Sequence, residues 1–150
     1  MEMPAAVPAQ VQRAQMAEIN ARLSKAMEWE TYISDESTNP AWYSSSRRDP
    51  SKLSLFIQPQ HAKTLLSLGP SWRAKAERRP LDEIASSLYM LAHERGHAEH
   101  GFVAERDNEL LANQYAAQKF IYYARRLGLS RPRAALLYRS LPAHWRRPTK

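Results

Sequence analysis

Pro80-Leu81-Asp82-Glu83-Ile84-Ala85-Ser86-Ser87-Leu88-Tyr89-Met90-Leu91-Ala92-His93-Glu94-Arg95-Gly96-His97 is the stretch that decides how this chain folds. Proline is favoured in a first helical turn, and the acids Asp82 and Glu83 just behind it complement the helix dipole. Leu81, Ile84, Ala85, Leu88 and Leu91 recur at three- and four-residue intervals, which predicts one buried stripe on a helix running to Gly101. On that helix His93 and His97 stand four apart, one turn or ~6 Å along the axis, on a common side. Two imidazoles so placed can share one tetrahedral zinc ion. Glu94 flanks the same face without aligning with either histidine. It can therefore take a proton from water activated there and leave the ion to the imidazoles. The bland alternative is a pair of ordinary surface histidines.

A catalytic zinc wants a third protein ligand and one open position. The following helix is expected over residues 104–127, closed by Gly128 just past its end, with Ala112, Ala116, Ala117, Phe120, Ala124 and Leu127 facing inward. The small residues at 112, 116 and 117 let this helix approach the first closely, which brings a short carboxylate arm within reach of the ion. Glu109, near its start, is the expected third ligand, and Asn113 one turn later is placed to bond a ligand or a backbone carbonyl. Glu105 and Asp107 read as first-turn acids that complement the dipole, which is also the alternative for Glu109. His100 lies a further turn along from His97 and is assigned to the rim of the site.

Leu91-Ala92-His93-Glu94-Arg95-Gly96-His97-Ala98-Glu99-His100-Gly101, followed by Glu109-Leu110-Leu111-Ala112-Asn113-Gln114-Tyr115-Ala116-Ala117, resembles the ImmA/IrrE family of metallopeptidases. Members of that family place a His-Glu-x-Gly-His type core on one helix and a Glu-x-x-Ala-Asn-x-x-Ala type segment on the next. The resemblance covers about residues 81–121. It implies a small zincin-like domain with zinc held by His93, His97 and Glu109, and with Glu94 as general base. The activity it implies is that of a gluzincin-like zinc endopeptidase acting on a protein partner, such as a repressor or other regulator.

Working outward, the chain reads as one mostly helical α+β domain over residues 1–150. An amphipathic helix is expected over about 9–30, with Val11, Met16, Ile19, Leu23 and Met27 on one face. Residues 34–52 are rich in Ser, Asn, Asp and Pro and read as a loop, part of which packs on the body through Trp42 and Tyr43. The metal-site core is expected over about 53–128. It opens with a short strand, Leu53-Ser54-Leu55-Phe56-Ile57, and a weak helix over about 61–68 ended by Gly69-Pro70. A last helix should run from Ser130 to about 141, before a loose basic tail over 142–150. The edge of the 53–57 strand is where an extended peptide substrate would add. Tyr89, Tyr115, Tyr122, Tyr123 and His61 are the candidates for stabilising charge on the substrate's carbonyl oxygen.

Composition limits the function classes. Hydrophobic residues at 43% against charged residues at 25% fit a soluble globular protein. No apolar run approaches the ~20 residues of a spanning helix. Met1-Glu2-Met3-Pro4 does not read as a secretory signal. The absence of cysteine excludes a disulfide framework, thiolate ligands and a cysteine nucleophile. A cytoplasmic setting fits these features best. The net charge of +7 is concentrated in arginines towards the C-terminal end, which is a possible footprint for nucleic acid. No helix-turn-helix, zinc-finger or aromatic RNA-binding signature accompanies it, so a solvated basic surface is the favoured reading. A non-catalytic binding protein is the other class, its zinc closed off by a fourth protein ligand such as His100.

Overall fold

Alternation at Leu55, Phe56 and Ile57 builds the centre of a small sheet. In a computed structural model that describes residues 9–45, 53–66, 81–100 and 105–149, β1 (Thr31–Ile33), β2 (Ala41–Ser45) and β3 (Leu53–Ile57) associate in the order β1-β3-β2. β3 runs parallel to β1 and antiparallel to β2. Leu55 and Ile57 are fully buried beneath the sheet. On its other face Phe56 stacks on Trp42 at 5.6 Å and lies 5.9 Å from Tyr32, the three rings held in register across the strands.

Two expectations are corrected here. β2 lies inside the segment read as a loop over 34–52, because its backbone pairs with β3 and its aromatics fit a pleated surface, whatever the turn residues around it suggest locally. In turn, β3 is the middle strand. The sheet edge beside the site therefore belongs to β2, not to the 53–57 strand.

Around the sheet lie α1 (Ala9–Met27), α2 (Pro59–Leu66), α3 (Leu81–His100), α4 (Glu105–Arg126), α5 (Arg131–Arg139) and α6 (Ala143–Arg146). Leu23 and Met27 of α1 are buried, while Met16, expected on the same face, is 47% exposed. α1 stops at Met27 rather than near residue 30. Glu28 adopts a left-handed φ of 54°, and the Trp29 N–H turns back to the Ser24 carbonyl at 3.1 Å. Glycine usually fills such a position. Here the Glu28 carboxylate accepts from the Tyr122 hydroxyl and faces Arg126, which fixes the turn. The last carbonyls of α1 are satisfied by arginines from α3 and α4: Arg126 donates to Lys25 and Ala26 at 2.6 and 2.8 Å, and Arg95 donates to Met27 at 3.0 Å.

Most of the core comes from α3 and α4. Ile84, Ala85, Leu88 and Leu91 are fully buried, as are Ala112, Ala116, Phe120 and Ala124, matching the two expected stripes. Gly128 ends α4 with φ 116°, and the Leu129 N–H returns to the Ala124 carbonyl at 3.2 Å. The segment expected to be a loose tail contains α6 instead. Its Trp145 stacks on Tyr89 with centroids 4.8 Å apart, so one aromatic anchor outweighs the polar, proline-containing sequence around it. The expected glycine–proline stop at 69–70, the helix start at Pro80 and the turn at Gly101 lie outside the described residues.

Candidate metal centre

The site exists because α3 and α4 touch. A Cβ added at Gly96 would lie 3.0 Å from both Ala112 Cα and Tyr115 Cβ, and 3.1 Å from the Ala112 carbonyl oxygen. Only a missing side chain at 96 opposite a small one at 112 permits this approach. Next to Gly96, Arg95 is buried, with Nη1 donating to Glu99 at 2.9 Å and its guanidinium 4.7 Å from the centre of the Trp29 ring and 5.9 Å from that of Tyr115. Together with its bond to the Met27 carbonyl, this ties α3 to the end of α1 and fixes the rotation of the helix about its axis.

That rotation points His93 and His97 at Glu109. The two Nε2 atoms are 3.0 Å apart, with Glu109 Oε2 3.2 Å from His93 Nε2 and Oε1 3.0 Å from His97 Nε2. With ligand bonds of ~2.0–2.1 Å, donor atoms around a tetrahedral zinc lie ~3.3 Å apart. The observed spacing is close to that.

The hydrogen atoms sharpen the fit. Asn113 Oδ1, an acceptor only, lies 2.7 Å from His93 Nδ1, so Nδ1 carries the hydrogen and Nε2 presents a bare lone pair. That lone pair faces a carboxylate oxygen 3.2 Å away, acceptor against acceptor, a contact that a proton or a cation between them would relieve. A proton on His93 is disfavoured: burial, reinforced by the charge of His97, holds its pKa below the ordinary value despite Glu109 and Asn113. A divalent cation meets the same need with three donors already assembled. His97 is buried, and its Nδ1 finds no hydrogen-bond partner among the described residues.

Glu94 is half-buried beside this corner, with one carboxylate oxygen, His93 and His97 offering ligand atoms within 4.8 Å of one another. By distance Glu109 is the better candidate ligand, since it reaches both ring nitrogens at 3.0–3.2 Å. Burial first and the Glu109 charge second push the Glu94 pKa up to about 8. A cation at the corner would act in the opposite direction and favour the carboxylate.

His93, Glu94, Glu109 and Asn113 form part of the wall of a cavity of about 700 Å³, completed by residues 39–43, by Tyr89 and Met90, and by the C-terminal segment. The side chain of Glu109 remains 67% exposed, so the corner opens into this space. His100 is exposed and set edge-on to Tyr115 at 6.1 Å, outside the group of converging donors. Among the expected carbonyl-stabilising residues, Tyr89 alone lines the cavity, but its hydroxyl donates to the Asn113 carbonyl at 3.2 Å and burial pushes its pKa up to about 12. Tyr115 and Tyr123 bond each other, Tyr122 bonds Glu28, and His61 bonds Ser87 at 2.7 Å. Sequence reasoning missed Tyr43, whose ring lies 5.0 Å from that of His97, and His144; both line the cavity. The aromatic pair Trp42-Tyr43 between two turn clusters was the available signal for the first. Nothing comparable marked the second.

No protein-family model, curated protein or solved structure matches this chain. Among the described residues no helix is long and apolar enough to cross a membrane.

Proposed function

We propose that this protein is a zinc-dependent metallopeptidase that hydrolyses a peptide bond in a protein partner, with His93, His97 and Glu109 holding the ion and Glu94 moving the proton. The observation behind this reading is the meeting of three donors from two helices at 3.0–3.2 Å, with the Nε2 lone pair of His93 turned inward by its Asn113 partner. A divalent ion held there would supply Lewis acidity, making water nucleophilic near neutral pH and polarising a carbonyl. The chain's own groups do the rest. Glu94 accepts a proton from the attacking water and delivers it to the leaving amide nitrogen. Asn113 keeps His93 in the tautomer and orientation that present Nε2. An extended substrate has a main-chain partner in the outer edge of β2, which among the described residues pairs only with β3, and Ala41, Trp42 and Tyr43 line the cavity. A regulator as substrate follows from the family resemblance alone, and a cytoplasmic setting rests on composition, above all the lack of cysteine.

A purely structural zinc would want a fourth protein ligand, and His100, the residue expected to supply it, is turned away. The open cavity favours catalysis. The test is elemental analysis of wild type, His97→Ala and Glu109→Ala after purification with zinc, run beside cleavage of unfolded protein substrates by wild type and Glu94→Gln. Wild type should retain zinc stoichiometrically and both ligand variants should lose it. Glu94→Gln should keep the metal and lose roughly 10²–10⁴ in rate. A wild type that carries no zinc, or a Glu94→Gln variant that cleaves at the wild-type rate, would end the proposal.

A further inference from the structure

Resting on that reading of the cavity, we infer that Trp145, stacked on Tyr89, forms the side-chain subsite of this enzyme and selects peptides with a bulky apolar residue close to the scissile bond. The stack is fixed relative to the chemistry. Tyr89 sits on α3 one turn before His93, and its hydroxyl donates to the backbone of Asn113, the residue whose side chain orients His93. One helical turn is ~5.4 Å, and successive residues of an extended peptide are ~3.3 Å apart, so the subsite serves a residue within about two positions of the bond that is cut. Tyr89 is itself covered, at 5% exposure, while Trp145 is partly buried and lines the cavity. The indole is thus the surface that the stack offers to a ligand.

The rest of the wall is mixed, with Asn39, His144 and Thr149 beside an apolar part that continues the stack. Met90 and Trp42 also line the cavity, the first a flexible apolar side chain that adapts to its occupant. The chain has 22 lysines and arginines, yet none of them is among the described residues lining this space. The acids that do, Glu94 and Glu109, are committed to the chemistry. A charged substrate side chain would lose its water and meet no lysine or arginine, only His144, Asn39 and Thr149, whereas an aromatic or large aliphatic one gains stacking and apolar contact. A volume of about 700 Å³ accommodates such a side chain together with the peptide backbone on either side.

The experiment uses zinc-loaded Glu94→Gln protein, so that peptides are bound but not consumed. Blocked hexapeptides differing at one position (Ala, Leu, Phe, Glu or Lys), scanned through the sequence, are titrated calorimetrically. We expect Phe and Leu to bind about 10- to 100-fold more tightly than Ala, Glu or Lys at one position. Adding Trp145→Ala should bring Phe and Leu down to the Ala level with zinc content unchanged, and Trp145→Phe should keep most of the preference. Met90→Lys, which leaves the stack in place, should weaken Phe and strengthen Glu peptides about 10-fold, so the inference stays testable if Trp145→Ala does not fold. Equal affinity across the series, no binding of any peptide, a preference for Lys, or a preference that survives Trp145→Ala would each overturn it. If the peptides bind in the expected order but zinc-loaded wild type cleaves none of them, the subsite stands and the peptidase reading falls.

Discussion

Glu94 should destabilise the metal-free protein, and replacing it should reveal by how much. Its carboxyl has an ordinary value of 4.5 and is pushed up to about 8 in the fold, by burial and by Glu109. Between those two values the folded state binds more protons than the unfolded state, so stability falls as pH rises across the window. Each pH unit inside it is worth ~1.4 kcal/mol, which gives ~2.7 kcal/mol between pH 5.5 and pH 7.5. Residual contact with water reduces this, and about 2 kcal/mol is a fair expectation. Glutamine has no proton to lose. In urea denaturation with a chelator present, Glu94→Gln should therefore gain about 2 kcal/mol on wild type from pH 5.5 to pH 7.5. Saturating zinc should shrink this gap, because a cation beside the carboxylate favours its charged form. Stability curves for the two proteins that run parallel across this range would refute the reasoning, since an unpenalised carboxylate has the same pKa folded and unfolded.

Gly96→Ala should lower stability by about 1–2 kcal/mol, overpacking against Ala112 and Tyr115 outweighing the ~1 kcal/mol that alanine gains in a helix; a variant that melts higher than wild type would show that the helices can part freely. Asn113→Ala should weaken zinc binding about 10- to 100-fold in a competition titration while leaving far-UV circular dichroism unchanged, and unaltered affinity would mean that His93 needs no orienting partner. Arg95→Leu should cost about 2–3 kcal/mol in denaturant, since it leaves the Met27 carbonyl without its donor, yet the protein should still bind zinc because the Gly96–Ala112 contact also holds α3; loss of the metal with the fold intact would show that the Arg95 tie alone sets the aim of the histidines.

The candidate site was legible in the sequence because helical periodicity converts directly into geometry. Four-residue spacing put His93 and His97 on one side, and the small residues at 112, 116 and 117 announced the close approach that brings in Glu109. The same logic found the buried stripes of α3 and α4. It failed where structure depends on partners distant in the chain. β2 is surrounded by turn residues and becomes a strand only by pairing with β3, and α1 stops early because Glu28 meets Tyr122 and Arg126, nearly a hundred residues on. Trp145 gave no periodic signal at all. A lone tryptophan in a basic, proline-containing segment carries no pattern, and its stacking on Tyr89 is a purely tertiary fact.

What escaped the sequence is what would choose a substrate. The three donors and Glu94 are held by α3 and α4, which touch at Gly96 and Ala112, and α3 is bolted to α1 through Arg95. That much fixes where the candidate site lies and says nothing about what would occupy the cavity beside it. The remaining walls, β2 on one hand and the C-terminal segment with α6 on the other, come from parts of the chain outside the helical motif. Each carries an aromatic contact to the body, Trp42 on Phe56 beside the β2–β3 ladder and Trp145 on Tyr89. Loops and short elements attached to a rigid scaffold can change without disturbing the chemistry they surround. The division of labour follows from the packing: substitutions in the touching faces of α3 and α4 should alter metal binding and rate together, whereas substitutions at Trp42, Met90 or Trp145 should alter which peptide is accepted while the ion stays in place.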